Sequence, residues 1–340
     1  MKKRLFYLDF VRAIAAISII LIHFNAIYLY AGAEYLNNVV LTTSAFNVYL
    51  GNWGVSLFFI ISGCSLMYVY GDKFDCKTFY KKRFFSIYPM FWIAYILGFA
   101  FLFLVHHGMF MAAPKWTILL TILGFDGYFA GDIPTFYILG EWFLGCIILL
   151  YILFPLLRYL IIKYPEITFG TSLIVYFIFI LFYQGSFAPA KIIFIRLPEF
   201  LFGMYFVKYI KKVNILPLVL SILVLLLNQF IKPTFDGSLQ TTYIGIASFL
   251  VLVYISDYLN NKYIQKVCKL ISKYSYAIFL VHHVIITVVM GYIGLNNVYP
   301  IKSYIVFLIC LVIIFICAYL LYHLHSYIMR MINSTFMSKQ

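Results

Sequence analysis

The feature that limits this chain most is a succession of long apolar segments joined by short polar stretches. A membrane-crossing helix needs roughly 20 mostly apolar residues. The 340 residues hold ten such segments, at about 7–30, 51–70, 84–105, 137–157, 168–185, 191–207, 215–231, 240–256, 274–293 and 303–326. Backbone polar groups in lipid must pair internally, so segments of this length are read as helices. Composition agrees: 65% of residues are hydrophobic and 11% charged, against about 45–50% and about 25% in soluble domains. An ordinary soluble domain, a disordered chain and a disulfide scaffold are excluded. The expected fold class is an all-α polytopic membrane protein with about ten transmembrane helices.

The formal net charge is +14. In a soluble protein that would point to nucleic acid. Here the placement of the charges gives another reading, with no nucleic-acid partner. One set of joints holds Lys2, Lys3, Arg4, Lys73, Lys77, Lys81, Lys82, Arg83, Arg158, Lys163, Lys208, Lys211, Lys212, Lys262, Lys266, Lys269, Lys273, Arg330 and Lys339. The other set holds Lys115, Lys191, Lys232 and Lys302. Loops facing the cytoplasm collect Lys and Arg, so the first set and both termini are expected inside.

The basic start and Ala31-Gly32-Ala33 resemble a signal peptide. Asp9 and Arg12, however, interrupt an apolar stretch that in a cleavable signal runs clean for about 7–15 residues. An uncleaved first helix is the reading. The six cysteines fall in spans or inner joints, so no disulfide is expected, and no CxxC metal spacing occurs. No repeat or low-complexity linker is present. Residues 1–340 therefore read as one membrane domain with no appended soluble domain. The longest outer joint, about 106–136, is expected to hold a short interfacial helix.

Charged groups inside spans carry the functional signal. Each costs roughly 2.5–3.5 kcal/mol at a helix centre on insertion scales, and such residues usually face the bundle interior. The candidates are Asp9, Arg12, His23, Glu141, Arg196, Glu199, His282 and His283. Arg12 and His23 are eleven residues apart, so they share a helix face about 16 Å apart along its axis. Asp9 precedes Arg12 by nearly one turn. Arg suits phosphate, which its planar fork grips. His suits proton transfer near neutral pH. The alternative is that Arg12 reaches back to the headgroups and His23 bonds a carbonyl. Arg196 and Glu199 are spaced for an ion pair across Pro198. Glu141 starts a span and is read equally as interfacial. His282 and His283 point about 100° apart, so at most one is expected to face a common site.

Several segments, in order, resemble the membrane acyltransferase family 3. Tyr7-Leu8-Asp9-Phe10-Val11-Arg12-Ala13-Ile14-Ala15-Ala16, running on to His23-Phe24, resembles its first helix, marked by an Arg, ten residues, then a His. Phe58-Phe59-Ile60-Ile61-Ser62-Gly63 resembles its second-helix signature. Lys82-Arg83-Phe84-Phe85-Ser86-Ile87-Tyr88-Pro89 and Phe91-Trp92 resemble its basic start of the third helix. Trp142-Phe143-Leu144, with Tyr151, Phe154 and Pro155, resembles the fourth. Arg196-Leu197-Pro198-Glu199-Phe200 with Gly203 resembles the sixth, and Ser275-Tyr276 through His282 the ninth. Two departures stand out. Many members carry an acidic residue a few positions after the Trp of the fourth helix, where this chain has Gly145-Cys146-Ile147; whether Glu141 substitutes is open. Some members also carry an extracytoplasmic hydrolase-like domain after the membrane domain. Transfer here is expected to finish within the membrane domain.

The resemblance implies an O-acyltransferase, usually of acetyl, in a bacterial plasma membrane. Its partners would be acetyl-CoA or another acyl-CoA as donor, a glycan or lipid-linked sugar as acceptor, and membrane lipid. No bound cofactor and no metal are expected. His23 would act as general base or acyl carrier. Arg12 and Arg83 would bind the donor. Asp9 would orient Arg12, and Glu141, Arg196, Glu199 and His282 would support the site or the acceptor. A transporter or exporter of glycan or lipid-linked intermediates is the competing reading.

Overall fold

The structure, a computed structural model, describes residues 3–337. Lys2 and Lys339, counted above among the inner-side charges, lie outside the described residues. Among the described residues, the regular structure is helical apart from a two-residue-per-strand hairpin, β1 (Ser44–Ala45) and β2 (Val48–Tyr49). The helices are α1 (Phe6–Ala31), α2 (Leu50–Tyr70), α3 (Cys76–Val105), the short α4 (Ile118–Leu123) and α5 (Asp126–Phe129), then α6 (Glu141–Lys163) and α7 (Pro165–Phe182). They continue with α8 (Ile193–Tyr205), α9 (Ile215–Ile231), α10 (Gly237–Tyr258), α11 (Lys262–Ile293) and α12 (Pro300–Met337).

Among the described residues, eight helices are long and apolar enough to cross a membrane. The two remaining expected spans are also helical, but α8 has 13 residues and α9 has 17. α3 and α11 begin well before their apolar stretches. Polar caps set those starts: Asp75 accepts from the Thr78 N–H at 2.7 Å, and Asn261 accepts from Tyr263 and Ile264 N–H at 3.1 and 3.0 Å. Such side chains satisfy the donors that the first turn leaves open. The basic residues that follow form a polar extension, and hydropathy sees only the apolar part.

The chain packs into two compact units. The first comprises the described parts of Met1–Ile22, Leu41–Phe79 and Cys146–Lys273. The second comprises those of His23–Val40, Tyr80–Gly145 and Tyr274–Gln340. Helices α1, α3, α6 and α11 contribute to both.

Within the first unit, α2 and α8 meet backbone to backbone. A Cβ added at Gly63 would stand 2.0 Å from the Phe200 carbonyl oxygen, and one at Gly203 would stand 2.0 Å from that of Ile60. Lipid offers no hydrophobic drive to bring helices together, so close packing at small residues supplies the attraction. Trp53 Nε1 donates to Ser248 Oγ at 2.8 Å and ties α2 to α10. Arg158 donates to the Tyr70 and Gly71 carbonyls at 2.7 and 2.9 Å, closing the C-terminal end of α2.

Within the second unit, Asn25 exchanges two hydrogen bonds with the Val40 backbone, at 2.8 and 2.9 Å, and folds the segment after α1 back onto it. Three aromatic donors on one side of α3 hold the long 106–136 joint. Tyr88 donates to the Leu123 carbonyl, Trp92 Nε1 to that of Ile122, and Tyr95 to that of Phe136. That joint contains α4 and α5, with Trp116, Ile118, Leu119 and Ile122 exposed. It holds a short helix, as expected.

Candidate functional site

The second unit gathers three imidazoles, a carboxylate and a phenol. α1 brings His23, α11 brings His282 and His283, and the first turn of α6 brings Glu141. The ring centroids of His23 and His282 are 4.7 Å apart, and those of His23 and His283 are 5.8 Å apart. Both neighbouring histidines therefore reach His23, where the sequence reading allowed one. A 100° offset separates side chains without sending them to opposite faces, and two long rings can flank a third from either side.

Hydrogen bonding assigns the protons. His282 is fully buried. Its Nδ1 lies 2.9 Å from the Phe279 carbonyl and 3.2 Å from that of Ile278. Carbonyls only accept, so Nδ1 carries the proton. In the neutral ring, Nε2 is then an acceptor, and it meets His23 Nδ1 at 3.3 Å. His23 therefore donates from Nδ1, which leaves its basic lone pair on Nε2. One buried histidine sets the tautomer of its half-buried neighbour.

Glu141 lies against this cluster. Its Oε1 accepts from Tyr137 Oη at 2.7 Å and stands 4.0 Å from His283 Nδ1. Its side chain is 19% exposed, which favours the site over the interface for this residue. Glu141 has φ +25°, in the left-handed region, and follows Gly140 at φ +96°. Backbone strain of this kind persists where packing over-determines it, often at functional sites. The packing here is tight: a Cβ at Gly127 would lie 2.9 Å from the Glu141 carbonyl carbon and 3.0 Å from the Tyr137 ring.

Beside that contact is Asp126, 1% exposed, whose Oδ1 accepts from the Gly127 N–H at 2.9 Å. Burial pushes its carboxyl up to about 7. Neither Tyr137 nor Asp126 stands out in the sequence. Both come from the irregular joint before α6, where no helical spacing links them to the histidines. The Asp126-Gly127 turn pair was the one available signal.

In the first unit, Arg12 donates to Ser65 Oγ on α2 at 3.1 Å and to Ser272 Oγ on α11 at 3.0 Å. Asp9, nearly one turn away, acts on the Arg12 guanidinium through its charge. Its carboxylate takes a two-pronged pair from Arg4, at 2.5 and 2.7 Å. Arg4 lies just before the helix and folds over its first turn, whereas Asp9 and Arg12 point along neighbouring rows. Two of the five guanidinium N–H donors of Arg12 go to neutral hydroxyls, which leave its charge available to an anion. Arg83, read with Arg12 as donor-binding, belongs to the second unit.

Arg196 and Glu199 form the expected ion pair, at 3.2 Å with side chains 1% and 0% exposed. Arg196 Nε also donates to the Ala190 carbonyl at 3.0 Å. So enclosed a pair is suited to holding α8 around Pro198. Among the described residues, no group of three or more His, Cys, Asp or Glu side chains is arranged to hold a metal ion.

The acyltransferase family 3 model, described as an acyltransferase domain, matches residues 5–323 of the chain. The chain belongs to that family. It is a multi-pass membrane acyltransferase, which implies an acyl donor and an acceptor. The match gives no support to the exporter reading. No curated protein and no solved structure matches the chain.

Proposed function

We propose that the protein is an O-acyltransferase, using acetyl-CoA or a related acyl-CoA from the cytoplasm. The acceptor is a hydroxyl of a cell-surface glycan or lipid-linked sugar, and the enzyme works in a bacterial plasma membrane. The observation that carries the proposal is the His282–His23 hydrogen bond, which leaves a basic Nε2 on His23. A hydroxyl must lose its proton to attack a thioester, and a positioned imidazole takes that proton near neutral pH.

His23 Nε2 accepts the hydroxyl proton as the oxygen bonds to the thioester carbonyl carbon. The carbon–sulfur bond then breaks, and the thiolate leaves as CoA by taking the proton back from the imidazolium. In a two-step variant, Nε2 attacks the thioester and the carbon–sulfur bond breaks to release CoA thiolate; the acceptor hydroxyl then takes the acyl group from the imidazole and gives its proton to that thiolate. In either route Glu141 stabilises the positive charge that develops on the imidazoles, and Tyr137 holds that carboxylate. Arg12 binds a phosphate of the donor, and Arg83 adds positive charge for it. Arg196, Glu199 and Asp9 keep structural tasks.

Release of the CoA thiol tests this. The purified protein in lipid nanodiscs is given acetyl-CoA and a glycolipid extract of the host envelope. Wild type should release thiol in proportion to acceptor, and His23→Ala should lose that dependence. Equal acceptor-dependent release by both proteins would remove His23 from the chemistry.

A further inference from the structure

The first unit holds a recess of about 330 Å³ where the inner-side ends of α1, α2 and α8 meet. Its walls are Leu5 and Tyr7, Tyr68 and Asp72, and then Lys208 and Lys211. The volume is in the range of small-ligand sites, about 300–1,000 Å³. We propose that this recess binds the phosphorylated adenosine end of the acyl-CoA donor, with Lys208 and Lys211 holding the ribose phosphate. The inference rests on the acyl-CoA reading above and gives that donor a place.

Four observations support the assignment. The first is the end of α8. The helix widens into a π turn, Phe206–Ile210, and then Lys211 turns left-handed at φ +63° with its N–H on the Phe206 carbonyl at 2.7 Å. Such widened turns recur at functional sites, and a non-glycine residue at positive φ is costly. The irregular turn ends the helix with both lysines at the recess.

The second is a replaceable partner. Lys208 Nζ stands 3.8 Å from Asp72 Oδ1, whose side chain is 68% exposed. A loose surface pair of this kind contributes little. A phosphate offers stronger, charge-assisted hydrogen bonds.

The third is the character of the walls. Tyr7 and Tyr68 present aromatic surface to the recess, and Tyr68 is pinned by its hydroxyl on the Lys3 carbonyl at 2.6 Å. A fixed aromatic wall suits a purine, since a base stacks favourably on an aromatic side chain.

The fourth is depth. Tyr68 lies one helical turn from Ser65, and Ser65 accepts from Arg12. A donor entering by its adenosine end would place the ribose phosphate at the exposed lysines. Its diphosphate would lie further in, toward Arg12.

Binding of CoA and of dephospho-CoA, which lacks the ribose phosphate, separates these parts. Calorimetry would use the full chain in nanodiscs. Wild type should bind CoA about tenfold more tightly than dephospho-CoA, a difference of about 1.4 kcal/mol. Lys208→Gln/Lys211→Gln should weaken CoA about tenfold and leave dephospho-CoA unchanged. Arg12→Gln should weaken both. Asp72→Asn, which frees Lys208, should tighten CoA alone. Both lysines reach solvent, so the double variant should elute and melt like wild type. Unchanged CoA affinity in that folded double variant would overturn the placement while sparing the donor. No CoA binding by wild type would overturn the donor reading as well.

Discussion

The role proposed for His23 depends on a neighbour, His282. His282 is held by two carbonyls of its own helix and in turn fixes which nitrogen of His23 is basic. His282→Ala should therefore lower the rate constant for transfer by about 10²–10⁴-fold, the usual range for a general-base contribution. The Michaelis constant for acyl-CoA should change little, and an effect confined to it would assign His282 to donor binding instead. Tyr137→Phe removes one hydrogen bond to a carboxylate, worth about 1.5–3 kcal/mol, and should slow transfer by tenfold or more in the same assay. Asp126 gives a pH signature. Its carboxyl is raised to about 7 in the fold, against about 4 in an unfolded chain. Ionisation between those values opposes folding, so its contribution to stability falls as pH rises from about 4 to about 7 and is level above. Asp126→Asn should be more stable than wild type at pH 8, by up to about 4 kcal/mol, with the gap closing by pH 4. Melting curves in detergent across that range would show it, and a gap independent of pH would contradict it. Arg12 and His23 were legible because one helix carries both at a readable spacing. Tyr137, Ser65 and Ser272 were not, because each meets its partner only through tertiary packing.

The helices were legible where apolar length defines them and less so where polar caps do. α3 and α11 are capped by Asp75 and Asn261, before the apolar residues begin. α8 meets α2 backbone to backbone, and its tolerance follows from the Gly63–Gly203 approach. Gly63→Leu would drive a side chain into the Phe200 carbonyl. It should cost more than the 1–3 kcal/mol typical of overpacking and sharply lower the amount of folded protein in membranes. Glu199→Gln tests the buried pair next to that contact. Removing one partner of such a pair costs about 3–5 kcal/mol, so the variant should melt lower while the surviving folded fraction still acylates. Loss of turnover per folded molecule would instead bring Glu199 into the chemistry.

For the molecule as a whole, length and charge placement carry the topology. The Lys and Arg asymmetry predicts that both termini and the basic recess face the cytoplasm, from which the proposed donor comes. Cysteine introduced at Lys115 should react with an impermeant maleimide in intact cells, and cysteine introduced at Lys269 should react only after lysis. The reverse pattern would invert the orientation and with it the cytoplasmic donor. Family membership over residues 5–323 establishes an acyltransferase, and the role proposed for His23 is open to one direct comparison. Surface glycan from cells making wild type or His23→Ala, at matched membrane levels, is analysed by mass spectrometry for an alkali-labile acyl group. The acyl group should be present with wild type and absent with His23→Ala. The same acyl group in both would contradict a role for His23 in transfer.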